Sequence, residues 1–129
     1  MLGKCVLGFS GLVFIAYGVT SLFSPAIPAS FAGLVMSNGD AYAEIGAMYG
    51  GLQTGIGIYC LFALIKPAYY RAGLLLLVIG IGSLALARLL SFLLTADPVS
   101  VYTYGAVVYE FATAIIAGFA LARNQNDAT

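Results

Sequence analysis

Glu44, Arg88 and Glu110 are the residues of this 129-residue chain best placed to do chemistry. Each falls within an apolar stretch long enough to cross a bilayer. An ionisable side chain there costs about 2.5–3.5 kcal/mol on insertion scales, so it calls for a partner or a task. Arginine stays protonated, and its planar fork can hold one or two carboxylates. Two acids facing one guanidinium leave a surplus negative charge. At low dielectric, one glutamate of such a trio is more easily kept protonated, which is the starting point for proton coupling. The same trio also serves as an ion-pair cluster that fixes helix register and does nothing else.

Other polar side chains stand near these three along the chain. Tyr49 and Tyr109 are close in sequence to the glutamates, and either is placed to donate to a carboxylate or to line a pocket. At 100° per residue, Arg88, Ser91 and Thr95 share one stripe with Ala85 below. Thr103, Glu110 and Thr113 share another with Ala106, Ala114 and Ala117, and Ser10, Tyr17, Ser21 and Ser24 share a third. Turned inward, these stripes build a polar chamber with an oily floor, since charged residues within spans face the interior. Alternatively, each hydroxyl bonds back to its own helix.

An enzyme is disfavoured. There is no histidine, no activated Ser or Cys constellation, and no phosphate loop beside a strand. Cys5 and Cys60 read as buried free thiols, so neither a metal nor another cofactor is predicted. Net charge is zero and no basic tract exists, which removes nucleic acid as a partner.

Composition decides the solvent. The chain is 62% hydrophobic and 8% charged, with mean hydropathy +1.03. Soluble domains carry about 25% charged residues. The predicted fold is all-α: one integral-membrane four-helix bundle over residues 1–129, with spans near 2–23, 42–65, 72–94 and 101–122. Ser24-Pro25 and Pro28, Asn38-Gly39-Asp40, Lys66-Pro67 and Asp97-Pro98 mark the breaks. Lys4 followed by an apolar run resembles a secretory signal, but the run is long, so it reads as a retained span. Phe31, Leu34 and Val35 recur at helical spacing, which suggests a short interfacial helix between spans one and two.

With four spans, Lys4, Lys66, Arg71 and Arg123 fall on one side, and Asp40 and Asp97 on the other. The positive-inside rule then puts both termini in the cytoplasm. Glu44, Arg88 and Glu110 all fall in the outer half of the membrane. Tyr42, Tyr102 and Tyr104 fit an aromatic belt at that outer interface.

Span two is ordered in its glycines. Glu44, Gly51 and Gly55 share one face, while Gly46, Gly50, Gln53 and Gly57 share the opposite one. Gly46-x-x-x-Gly50 and Gly51-x-x-x-Gly55 are small-xxx-small pairs that let helices approach closely. Both faces pack within one bundle, or one of them pairs with another subunit.

The run from Ala43 to Gly57 (AEIGAMYGGLQTGIG), with Ala87-Arg88-Leu89-Leu90-Ser91 and Glu110, resembles a family of small four-helix bacterial membrane proteins. That family is described as a domain of unknown function, of the four-three-four-five type, and is distantly similar to DoxX-like proteins. The likeness covers nearly the whole chain. It implies a four-helix fold in a bacterial inner membrane, and no particular activity. Relatives often carry an arginine two residues after the glutamate; here Gly46 stands there. Arg88 is then the only basic partner available.

Three functions compete. The first is a binding or accessory subunit that holds a lipid-like or amphipathic ligand in the outer-leaflet chamber, gripped by Glu44, Arg88 and Glu110. The second is a proton-coupled small transporter working as a homo-oligomer. The third is a purely structural subunit of a larger membrane complex.

Overall fold

The structure is a computed structural model that describes residues 1–126. Five helices account for its architecture, and no strand occurs among the described residues. α1 is Leu2–Phe23 and α2 is Ala26–Ala32. α3 is Gly39–Ile65, α4 is Pro67–Leu94 and α5 is Val101–Asn126. The four long helices are each long and apolar enough to cross a membrane.

The surface supports that reading. Large apolar side chains such as Phe9, Leu12, Ile58, Leu86, Val108 and Phe119 are exposed, whereas Ser10, Ser21, Glu110 and Thr113 are buried. An exterior oilier than parts of the interior suits lipid and would aggregate in water. Cys60 is buried as expected, but Cys5 is exposed, on the outward face of the first turns of α1.

Helix ends follow local chemistry. α3 starts three residues earlier than expected because Asn38 caps it: its side chain accepts a hydrogen bond from the Ala41 N–H at 2.9 Å. α4 begins at Pro67, whose fixed φ suits a first helical position, and passes through one tight turn before continuing from Tyr70. α5 runs past the expected end at residue 122, because no Gly or Pro stops it before Asn126. α2 confirms a short helix between the first two spans, but Leu34 and Val35 lie outside it. Gly33 turns left-handed at φ +69, and the N–H groups of Gly33 and Leu34 both close on the Ala29 carbonyl.

Neither α3 nor α4 is regular throughout. Gly46–Gly51 and Leu77–Ile81 are wound as wider π turns. Such a turn accommodates an extra residue, so faces drawn at 100° per residue do not carry across it.

The chain forms two compact units: Gly8–Phe62, and Met1–Leu7 with Ala63–Thr129. Within the first, α1 and α3 run antiparallel at backbone contact. A Cβ on Gly18 would stand 2.6 Å from the Thr54 nitrogen and 2.8 Å from the Gly50 oxygen. One on Gly57 would stand 2.7 Å from the Gly11 oxygen and 2.8 Å from the Ile15 nitrogen. Only glycine allows two helix backbones so near each other.

In the second unit, α4 and α5 form an antiparallel hairpin. Gly82 faces Ala114, Gly118 faces Val78, and the rings of Phe92 and Tyr104 meet edge to face at 5.4 Å. Leu74, Leu77, Ile81, Ala85, Ala117 and Ala120 are among this unit's buried side chains.

Candidate functional site

The hairpin brings Arg88 and Glu110 together. Arg88 lies on α4 and Glu110 on α5, each about two turns from the 95–100 connection, or roughly 9–13 Å along its helix. The Arg88 Nε donates to both carboxylate oxygens, at 3.1 and 3.0 Å, and Nη2 donates to Oε1 at 2.8 Å. The Glu110 side chain is 6% exposed and that of Arg88 is 25% exposed. The acid is thus sealed in the hairpin with its charge compensated, while the Arg88 side chain is partly exposed. Charge-assisted bonds at such distances are among the stronger polar contacts, and the apolar surroundings make them more so.

The π turn at Leu77–Ile81 precedes Arg88 on the same helix. Removing its extra residue would rotate everything after it by about 100° about the helix axis. The pairing therefore depends on an irregularity that a regular helical wheel does not contain.

The remaining expected site residues divide between the units. Thr113 is buried one turn from Glu110, and Tyr109 is half-buried beside it in sequence. Ser91 is exposed. Thr95 lies just past the end of α4, and its hydroxyl accepts from the Asp97 N–H at 3.2 Å. The α5 stripe is thus more inward than the α4 stripe.

Glu44 belongs to the other unit. It is exposed and forms no salt bridge with a described residue of its own unit. Within the hairpin unit, the ion pair joins Arg88 and Glu110. Tyr17 and Tyr49 also lie in that unit, their rings 6.5 Å apart and tilted at 57°. Tyr49 makes this ring contact and no hydrogen bond to a carboxylate. Gln53 is half-buried. Ser21 is buried and donates to the Tyr17 carbonyl at 2.8 Å, a bond within its own helix.

The glycines of α3 split by face. Gly50 and Gly57 are buried, and a Cβ on either would collide with α1. Gly46 and Gly55 have no packing atom within 4 Å, and Gly51 meets only the Gly46 oxygen at 3.8 Å. Close packing within the unit therefore belongs to one face, not two. Gly46-x-x-x-Gly50 does not act as a pair: both lie in the π turn, and only Gly50 meets α1.

The partners on α1, Gly11 and Gly18, were missed in the sequence. Their signal is a seven-residue spacing that matches Gly50 and Gly57, close to two full helical turns.

The pair is a positioned guanidinium held by a buried acid, with neither a nucleophile nor a redox group in its bonds. It can bind a polar or anionic group, or lock two helices in register. No curated protein and no solved structure shows significant similarity to the chain. A family model does match it, over residues 2–121, in the same stretch that contains α1 to α4 and the Arg88–Glu110 pair. The chain belongs to the family described as domain of unknown function DUF4345.

Proposed function

We propose that this protein is a non-enzymatic binding or accessory subunit of a membrane, and that it holds the polar end of a lipid-like or amphipathic molecule on Arg88. The observation that carries the reading is the asymmetry of the ion pair. Glu110 occupies Nε and one edge of Nη2 from inside the hairpin, while a quarter of the Arg88 side chain stays open. A pair that served only to hold the hairpin together gains nothing from leaving its cation accessible. A pre-oriented guanidinium facing the acyl region suits a carboxylate, phosphate or carbonyl on an otherwise apolar molecule.

The basic residues support a location. Lys4, Lys66, Arg71 and Arg123 fall on one side of four spans, so both termini are assigned to the cytoplasm. Arg88 and Glu110 then fall in the outer leaflet. The family resemblance argues for a bacterial inner membrane. A homo-oligomer or a larger complex is compatible with the open Gly51 and Gly55 face.

The test compares molecules that co-purify with wild type and with the double variant Arg88→Met, Glu110→Gln. The double change removes both charges at similar volume, so neither an acid nor a cation is left buried alone. Native mass spectrometry should find a bound amphipathic molecule on wild type and lose it from the variant. Equal retention, with the variant as stable as wild type, would mean the pair is structural only.

A further inference from the structure

The same hairpin unit carries a second feature at its other end, about 27 Å along α4 from Arg88. A cavity of about 340 Å³ is lined by Met1, Leu2, Gly3, Lys4, Tyr70, Ala120 and Arg123. Its charged lining is basic. Neither Lys4 nor Arg123 forms a salt bridge among the described residues. The acid nearest Arg123 along the chain is Asp127, outside those residues.

The cavity also has a built wall. Gly3 packs against Tyr70 and Ala120, and a Cβ on Gly3 would overlap the Tyr70 hydroxyl. The phenol oxygen is therefore accommodated only because residue 3 lacks a side chain. Leu2, Gly3 and Lys4 belong to the first turn of α1. Two basic side chains and a tyrosine thus line one concavity near the ends of α1, α4 and α5. Helix ends of membrane spans lie at headgroup depth. Basic pockets between helices at that depth suit anionic headgroups.

We propose that this cavity binds a phosphate-bearing anion. Lys4 and Arg123 supply the charge, and the Tyr70 hydroxyl donates to a phosphate oxygen. The two sources of such a group are an anionic phospholipid headgroup and a soluble phosphate. The cavity uses none of the residues assigned to the proposed function, so either assignment can fail without the other.

The experiment uses the full chain in a mild detergent. Native mass spectrometry measures retention of added phosphatidylglycerol and of zwitterionic phosphatidylcholine, with and without inorganic phosphate as competitor. Phosphatidylglycerol should be retained in preference. Lys4→Gln and Arg123→Gln should each weaken it about fivefold, and the double variant about twenty-five-fold. These factors correspond to about 1 kcal/mol per basic residue, at 1.4 kcal/mol per tenfold. Tyr70→Phe should weaken it by a smaller factor. Arg71→Gln is the control: this exposed arginine follows Tyr70 but lies outside the cavity.

Displacement by inorganic phosphate would uphold the site and assign it to a soluble anion, and resistance to it would assign the lipid. Equal retention of the two lipids would overturn the proposal. So would a loss in Arg71→Gln as large as in Arg123→Gln, since that pattern reports diffuse surface charge. Far-ultraviolet circular dichroism of each variant separates lost binding from lost fold.

Discussion

Gly57→Ala and Gly55→Ala make the sharpest pair of perturbations in this protein. They add the same methyl group to the same helix, two residues apart. At Gly57 the new Cβ would stand 2.7 Å from the Gly11 oxygen and 2.8 Å from the Ile15 nitrogen, where ordinary contact begins at 3.4 Å. The Ile15 Cγ1 also lies at 2.7 Å, but moving that side chain leaves the two backbone obstacles in place. The α1 and α3 backbones must separate locally by about 0.7 Å, the shortfall from 3.4 to 2.7.

A gap of that size forfeits roughly a quarter to a half of each contact it opens. Overpacking a tight interface costs about 1–3 kcal/mol. At Gly55 no atom lies within 4 Å of the new Cβ. Alanine there should only add helix propensity, about 0.5–1 kcal/mol. The propensity gain is common to both variants, so it cancels in their difference. Gly57→Ala should therefore be less stable than Gly55→Ala by about 1–3 kcal/mol. The assay is unfolding by sodium dodecyl sulfate titrated into mild detergent, followed by circular dichroism. Equal stability of the two variants, or the reverse order, would refute backbone contact between α1 and α3.

Three further expectations rest on other contacts. Arg88→Ala strands a buried carboxylate and should cost about 3 kcal/mol in the same titration; the reversed pair Arg88→Glu, Glu110→Arg should recover part of that loss. Gly33→Ala puts a side chain at φ +69 in open space, so its cost should be purely conformational, about 1–2 kcal/mol. It is read as a fall in the temperature of unfolding. Asn38→Ala removes the cap of α3 and should cost about 1 kcal/mol. It should also speed amide exchange in the first turn of that helix, from Gly39 to Tyr42.

Much of this protein is legible without coordinates. Four apolar runs of bilayer length, punctuated by Pro, Gly, Asn and Asp, specify four long helices, because a lipid-facing backbone must satisfy its hydrogen bonds internally. The rarity of charge within them singles out Glu44, Arg88 and Glu110, since an ion within a span is costly to keep.

Tertiary structure decided the rest. Which side chains of a unit face each other, such as Arg88 and Glu110, depends on the rotation of each helix about its axis. That rotation is altered by π turns at Gly46–Gly51 and Leu77–Ile81, which periodicity does not reveal. Which glycines pack was likewise undetermined. Gly46, Gly50, Gly51 and Gly55 look alike in a sequence, and only a neighbour at contact distance tells a required glycine from a permitted one. The basic cavity shows the same limit. Lys4, Tyr70 and Arg123 are far apart along the chain, and folding alone brings them to one wall.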